Sequence, residues 1–139
     1  MDFNLRLADE TEHIQLEPER LKAGVDALLR DRGRGLYYLA EANGAIVGQV
    51  MITYEWSDWR NGNIWWLQSV YVHPQFRGRG VFKALFGHLQ QLAATAGGVS
   101  ALRLYMHAEN SRARACYERL GMAETKYQVF ELSFQGGAD

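Results

Sequence analysis

The stretch VHPQFRGRGVFKALFGHL, residues 72–89, combines three features that together predict the fold. An apolar run ends at Val72, a proline follows two residues later, and from Val81 onward apolar residues recur at helical spacing. Between them, Gly78 and Gly80 leave the backbone without side chains directly before the predicted helix. Because the first amides of a helix carry partial positive charge, this arrangement favours binding of an anion such as phosphate or pyrophosphate.

The segments on either side predict a mixed α/β sheet. Upstream, Asn43-Gly44 and SDWRNGN (57–63) each separate two β-rich runs, which indicates two hairpins and three antiparallel strands. Downstream, the helical period lasts until Gly97-Gly98, and residues 101–107 form a predicted strand parallel to residues 64–72. The remaining expected elements are helical turns within 3–12, a helix over 18–31, a short helix in NSRARACYERLG (110–121) and a last strand in TKYQVFELSF (125–134).

Length and composition indicate one globular domain over residues 1–139. The 15 basic and 16 acidic side chains nearly cancel, which argues against nucleic acid or an anionic membrane as a partner. Cys116 is the single cysteine, so neither an intrachain disulfide nor a thiolate metal cluster can form, and we expect no metal. The acidic N-terminus does not resemble a signal peptide and no apolar run reaches membrane length, so we expect a cytoplasmic protein.

Positive charge beside Gly78 and Gly80 strengthens the hypothesis of an anion site. Arg77 and Arg79 flank Gly78, and guanidinium groups suit phosphate oxygens. Two familiar phosphate motifs are excluded, because Lys83 stands where a dinucleotide fingerprint needs its third glycine, and no Gly-Lys-Ser/Thr is present for a P-loop. The alternative on this stretch alone is an ordinary strand-to-helix turn with solvated arginines.

Two motifs together resemble the GNAT superfamily of N-acetyltransferases. The pattern Arg-x-x-Gly-x-Gly/Ala after a Val-x-Pro strand end is similar to Arg77-Gly78-Arg79-Gly80-Val81-Phe82, and a second signature is similar to Asn110, Ala113, Tyr117 and LGM at 120–122. The resemblance covers roughly residues 35–132. This chain departs from the pattern in two ways: Phe82 replaces a small residue, and the first strand of the family is missing before the first helix.

The resemblance implies a site for acetyl-CoA as cosubstrate, in a wedge where two parallel strands splay apart. The strand before the wedge would bind the pantetheine arm through its backbone, the glycine loop would bind the pyrophosphate, and the second signature would lie near the thioester. Carried over residue by residue, the cofactor-binding set is Val70, Tyr71, Val72, Arg77, Gly78, Arg79, Gly80, Val81, Phe82, Asn110 and Ala113.

Tyr117 is the residue to which the resemblance assigns proton donation. A phenol of pKa about 10 can protonate a departing thiolate of pKa about 8.5 to 10 at modest cost. The alternative is an amphipathic tyrosine packed at a helix end. Cys116 precedes it, but adjacent helical positions point about 100° apart, which argues against a covalent acetyl-cysteine route. His107 is more typical of a structural histidine at a strand end than of a base.

The amine acceptor also needs help to lose a proton. Some diamine acetyltransferases carry a glutamate early in the central strand, which corresponds here to residues 64–72, and the same register holds Gln68, which cannot act as a base. Glu55 and Asp58 are the nearest acidic candidates, in the segment EWSDWRNGNIWW that contains all four tryptophans. Cross-strand packing explains at least two of these tryptophans, and an exposed Trp59 would suit a cationic or aromatic amine.

We therefore expect an acetyl-CoA-dependent N-acetyltransferase that acts on a primary amine of a small molecule or a peptide terminus. A non-catalytic acyl-CoA-binding or regulatory module is the alternative, and Tyr117 with Asn110 favours the enzyme. An RNA-binding αβ domain fits less well, because the chain has no basic stripe. Two exposed sheet edges, at residues 36–42 and 125–134, predict a homodimer.

Overall fold

The computed structural model describes residues 1–135. The chain divides into two compact units, Met1–Leu104 and the residues from Tyr105 onward. The first unit holds the sheet with three α-helices, and the second holds one α-helix followed by a segment without regular secondary structure. That residues 1–139 form a single domain stays a prediction, since its last four residues lie outside the described part.

Helices open the first unit, as the sequence predicts. Helix α1 (Asp2–Leu7) continues into a π-helical turn (Ala8–Glu12), and α2 spans Pro18–Arg30. Helix α2 begins where Glu17 accepts hydrogen bonds from the amides of Glu19 and Arg20, with proline at its first position. Within the described residues no strand precedes Gly35, in agreement with the missing first strand.

The sheet is four-stranded and mixed, with the order β1-β2-β3-β4. Its strands are β1 (Gly35–Ala42), β2 (Ala45–Ser57), β3 (Gly62–Val72) and β4 (Val99–Leu104). The first three are antiparallel neighbours and β4 runs parallel to β3. The β1–β2 turn has Asn43 at φ 53° and Gly44 at φ 79°, the paired left-handed conformation of a type I′ hairpin turn. Both predicted hairpins and the parallel crossover are confirmed.

Helix α3 (Val81–Ala96) supplies the crossover and much of the core. It packs across β1, β2 and β4 and buries Leu85, Phe86 and Leu89. Gly48 permits this close approach, because a Cβ there would lie 2.8 Å from the Cγ1 atom of Val81. The first turn of α3 is thereby fixed against β2, next to the end of β3.

The second unit contains α4 (Ser111–Arg119) and corrects two predictions. The strand expected over residues 101–107 ends at Leu104. The prediction of a last strand over residues 125–134 is wrong, because that segment pairs with no strand of the described chain. Its alternating apolar pattern misled the prediction, since a pattern alone supplies no partner for the backbone hydrogen bonds. Its apolar side chains remain exposed: Tyr127, Val129, Phe130, Leu132 and Phe134.

Candidate active site

The loop between β3 and α3 is held open by two glycines. Gly78 and Gly80 have φ values of 76° and 81°, in the left-handed region that residues with a Cβ rarely adopt. A Cβ built on either would meet no atom within 4 Å. The glycines are therefore required by backbone conformation, and the space beside them is free for a ligand to approach the main chain.

The N-terminus of α3 lacks a capping side chain. Gly80 occupies the cap position, no side chain accepts a hydrogen bond there, and the first turn contains no acidic residue. The first amides of a helix have no intrahelical acceptor. Over a helix of 16 residues the aligned peptide dipoles add partial positive charge at this end. An anionic ligand oxygen would supply the missing acceptor.

Arg77 fixes the loop to its surroundings. Its Nε atom donates to the carbonyl oxygen of Val72 over 2.9 Å, and its Nη2 atom lies 3.3 Å from the Oε2 atom of Glu10. The guanidinium also lies over the ring of Tyr71, 5.2 Å from its centroid. The predicted phosphate-facing side chain is thus already engaged with protein groups, and it fastens the loop to the end of β3.

Glu10, in the π-helical turn, was not expected from the sequence. Nearness of the Tyr71 hydroxyl, and then the charge of Arg77, holds the pKa of the Glu10 carboxyl below its ordinary value. Burial is the main cause that raises the pKa of Tyr71. Among residues 1–135 the Tyr71 hydroxyl has no partner at hydrogen-bonding geometry, so its influence on Glu10 comes from proximity.

The other predicted loop side chains turn toward neighbouring rings. Arg79 lies over Phe76, with 5.5 Å between its Cζ atom and the ring centroid. The ring of Phe82 lies 6.0 Å from that of Phe86, one turn further along α3. Because the Phe82 ring packs along the helix, the departure from a small residue leaves the backbone of the loop accessible.

Before the loop, β3 extends further than its parallel neighbour β4. Pairing with β4 ends at Leu67 opposite Leu104, whereas β3 continues to Val72 and stays paired with β2 as far as Val72 opposite Gly48. Within the first unit, the β4 side of residues 68–72 has no strand partner. The predicted pantetheine residues Val70, Tyr71 and Val72 all lie on this open stretch, although the Val72 carbonyl is taken by Arg77.

A bulge interrupts β3 where the open stretch begins. The register with β2 shifts between Gln49 and Met51, so that two residues of β3, Ser69 and Val70, stand opposite one of β2. Ser69 has a φ of 50°. Sequence reasoning missed this bulge, since no glycine or proline marks it.

The two candidate bases occupy different settings on the β2–β3 hairpin. Glu55 accepts a hydrogen bond from the Nε1 atom of Trp66 over 3.1 Å, and Arg103 lies 6.0 Å from the centroid of that same ring. Asp58 lies in the turn and accepts from the amide of Trp59 over 2.9 Å. Trp59 is 91% exposed. Both carboxylates are solvent-accessible, and of the two only Glu55 accepts a hydrogen bond from a side chain of β3.

Gln68 lies where some diamine acetyltransferases carry a glutamate, and its side chain forms a hydrogen bond within the sheet. Its Nε2 atom donates to the Oγ1 atom of Thr53 over 2.6 Å. Thr53 pairs with Trp66 across the β2–β3 ladder. A polar row therefore runs along this part of β2 and β3, next to the point where β3 loses its partner.

In the second unit, the Asn-x-x-Ala spacing has a local explanation. The Oδ1 atom of Asn110 accepts the amide hydrogen of Ala113 over 3.0 Å, so Asn110 is the N-cap of α4. At the other end Gly121, with φ 92°, follows α4, and the amide of Met122 donates to the carbonyl of Tyr117 over 3.0 Å. Much of the second signature thus defines where α4 begins and ends.

Tyr117 lies on α4 and is partly buried. Burial, and to a lesser extent the neighbouring Cys116, raises the pKa of its phenol above the ordinary value. The hydroxyl is therefore protonated throughout the neutral range, as a proton donor must be. His107 lies outside a strand, and its Nδ1 atom faces the amide of Glu109 at 3.4 Å.

Two negative observations hold for residues 1–135. No cluster of three His, Cys, Asp or Glu side chains in this range is arranged to hold a metal ion. No helix in the described part of the chain is long and apolar enough to cross a membrane.

The sequence matches the acetyltransferase (GNAT) family over residues 3–122. This chain belongs to that family. A possible acetyltransferase from Clostridium difficile 630 is 42% identical, with a TM-score of 0.90, covering 96% of this chain and 88% of the other. The ribosomal-protein-alanine N-acetyltransferase of Brucella melitensis biovar Abortus 2308 is 25% identical, with a TM-score of 0.68 over 81% and 78% of the two chains.

A more distant structure shares the fold alone. Glucosamine-6-phosphate N-acetyltransferase from Arabidopsis thaliana is 20% identical, with a TM-score of 0.66 over 87% of this chain and 81% of that one. Family membership and the 42% identical structure identify the chain as an N-acetyltransferase, and its sheet is the mixed sheet expected from the sequence.

Proposed function

We propose that this N-acetyltransferase takes its acetyl group from acetyl-CoA, the donor that the family generally uses. The observation that carries the proposal is the loop before α3. Gly78 and Gly80 adopt left-handed conformations with open space beside them, directly before a helix end that no side chain caps. In this assignment the pyrophosphate binds the amides of residues 78–82, and Arg77 fixes the loop.

The open stretch of β3 would bind the pantetheine arm. Its backbone past Leu67 lies free of β4 and directly precedes the loop, so one extended ligand could follow strand and loop in succession. Hydrogen bonds from Val70 and Tyr71 would involve main-chain atoms, which makes their side-chain identity secondary. We retain Asn110 and Ala113 in the site as proposals, with the added observation that they cap α4.

The chemistry is direct transfer. A neutral amine attacks the thioester carbonyl, a C–N bond forms, and the tetrahedral intermediate expels the CoA thiolate as the C–S bond breaks. We assign Tyr117 as the donor that protonates the thiolate, and its raised pKa keeps the proton available at neutral pH. The phenolate would then regain a proton from solvent.

The amine acceptor must lose a proton before it can attack the thioester. An amine with the pKa of lysine, about 10.4, is neutral at pH 7 at a cost of about 4.6 kcal/mol unless a base assists. We assign Glu55 to this role, directly or through water, because it is hydrogen-bonded to Trp66 of the central strand. Asp58, which receives the amide of Trp59 within its own turn, is the second candidate.

We infer a primary amine as acceptor, on a small molecule or at a peptide terminus. The names of the similar structures include both kinds, a ribosomal-protein alanine and glucosamine 6-phosphate. Exposed Trp59 and Trp56 beside Glu55 and Asp58 would favour a cationic acceptor through aromatic and carboxylate contacts.

A panel assay tests the function. Release of free CoA from acetyl-CoA would be followed with a thiol reagent in the presence of amines, polyamines, amino acids and short peptides. The proposal predicts release with at least one class of primary amine and none with its N-acetylated form. Tight acetyl-CoA binding without release for any class would instead support the acyl-CoA-binding module.

A further inference from the structure

A residue in a strained conformation lies in the middle of β3. Ser69 has a φ of 50°, and the other non-glycine residues with positive φ among residues 1–135 are His13, Asn43 and Asn61. Those three lie at the end of the π-helical turn and in the two hairpin turns. A side chain in this conformation inside a strand persists only where its surroundings enforce it, and such positions concentrate at functional sites.

The surroundings of Ser69 supply a buried amide contact. The Nε2 atom of Gln49 donates to the carbonyl oxygen of Ser69 over 2.8 Å and to the Oδ1 atom of Asn4 over 3.1 Å. Gln49 is 4% exposed and Asn4 is 7% exposed. Hydrogen bonds in such a dry environment are strong, and leaving one of these groups unpaired would be costly.

Asn4 completes the network from α1. Its Nδ2 atom donates to the hydroxyl of Tyr37 over 3.2 Å and faces the Oγ atom of Ser69 at 3.5 Å. Both amide groups therefore have partners for both of their N–H bonds. We call Asn4, Gln49 and the carbonyl of Ser69 the bulge clamp.

The bulge decides which way the following residues face. A one-residue shift in a strand moves every later side chain to the other side of the sheet. With the bulge in place, Tyr71 is 3% exposed, its ring lies 5.0 Å from that of Phe3, and Arg77 lies over it. Loss of the bulge would reverse Tyr71 and remove the surface on which Arg77 rests.

We propose that Gln49 and Asn4 are positioning residues that hold the bulge at Ser69, and through it the backbone of residues 70–72 and the Arg77 loop, in the geometry that receives acetyl-CoA. The inference rests on the acetyl-CoA site of the proposed function. It adds two side chains that touch no ligand, on β2 and α1, to the determinants of cosubstrate affinity.

The test combines removal of the clamp with relief of the strain. Gln49→Met keeps the length of the side chain but removes the amide, and Ser69→Gly makes a positive φ accessible without a clamp. Acetyl-CoA affinity is measured by calorimetry, and KM and kcat are measured with an active amine. Leu28→Ala, in the buried face of α2, is the control for lost stability without a contact to the clamp.

We expect Gln49→Met to raise the Kd and KM for acetyl-CoA by about tenfold with a smaller change in kcat, as for lost cosubstrate binding. Ser69→Gly in that background should recover most of the loss, and Leu28→Ala should lower Tm without changing the Kd. If the wild type binds acetyl-CoA and Gln49→Met binds it equally well, the inference is overturned while the proposed function stands. If Ser69→Gly fails to restore affinity, the strain at Ser69 is not what the clamp holds, and the inference is equally overturned. Absence of binding by the wild type would overturn both.

Discussion

The Nε atom of Arg77 donates a hydrogen bond to the carbonyl oxygen of Val72 over 2.9 Å. This bond joins the first residue of the glycine loop to the last residue of β3. Because Glu10 and the Tyr71 ring hold the rest of the guanidinium, the loop and the open strand behave as one preorganised surface. Preorganisation lowers the cost of ordering a site when ligand binds.

The ion pair between Glu10 and Arg77 predicts a pH-dependent contribution to stability. The folded-state pKa of Glu10 is lowered, so its contribution is present above the unfolded pKa and is lost as pH falls through the folded pKa. Both side chains are partly exposed, so the contribution should be at most about 1 kcal/mol. Urea unfolding should show Glu10→Gln less stable than the wild type at pH 7, with the difference shrinking as the pH falls below about 4.3 and gone only below the lowered pKa of Glu10. A difference that persisted unchanged to lower pH would contradict an electrostatic origin.

Tyr117→Phe tests the proton donor. We expect kcat to fall by about 100-fold with little change in the KM for acetyl-CoA, because the hydroxyl acts mainly as the thiolate departs. Since the pKa of Tyr117 is raised, the wild type should show no loss of kcat from its ionisation between pH 7 and 9. Cys116→Ser is the matched neighbour and should keep its activity. Full activity of Tyr117→Phe, or loss of activity in Cys116→Ser, would contradict direct transfer with Tyr117 as the donor.

Glu55→Gln and Asp58→Asn distinguish the two candidate bases. Each change removes a carboxylate while preserving size, and both residues lie on the same hairpin. We expect the larger fall in kcat for Glu55→Gln, by about tenfold to 100-fold, with acetyl-CoA affinity unchanged. Steady-state kinetics at pH 7 measure this, and a larger effect of Asp58→Asn would reassign the base.

The exposed C-terminal segment predicts a homodimer. Phe130 is 94% exposed and Phe134 is 93% exposed, and a segment that exposes several large apolar side chains is often covered by a partner. Light scattering should return about twice the chain mass of 15.8 kDa, and Phe130→Ser with Phe134→Ser should shift it toward the monomer. A wild-type mass equal to one chain at micromolar concentration would remove the dimer.

Sequence patterns correctly predicted the turns and helix ends whose conformation depends on the residues at those positions. Asn43-Gly44 predicted a hairpin because asparagine and glycine readily adopt the positive φ values of a type I′ turn, and both residues have positive φ in the structure. The break at Gly97-Gly98 likewise marked the end of α3. The glycine loop was predictable for the same reason, since its conformation depends on Gly78 and Gly80 themselves.

Contacts between distant segments left no comparable signal. Glu10 meets Arg77 across 67 positions and Gln49 meets Asn4 across 45, so no spacing rule connects them. No glycine stands at the bulge, and we infer that Ser69 is held there by that distant clamp. For residues 125–134 the sequence predicted a strand that the structure does not have. Alternating apolar residues predict a strand whether or not a partner strand is available.

Calorimetric titration of acetyl-CoA into the wild type, Gly80→Val and Gly44→Val tests most directly whether the loop backbone binds the cosubstrate. The two glycines have nearly the same φ, 81° and 79°, and both face open space, so a β-branched residue strains each turn to a similar degree. Gly44 lies in the β1–β2 turn and is not one of the residues proposed to bind acetyl-CoA. We expect Gly80→Val to weaken acetyl-CoA binding by at least about tenfold, because a side chain there blocks approach to the amides, while Gly44→Val keeps the wild-type affinity. Unchanged affinity in Gly80→Val, or equal losses in both variants, would contradict binding of acetyl-CoA through this loop.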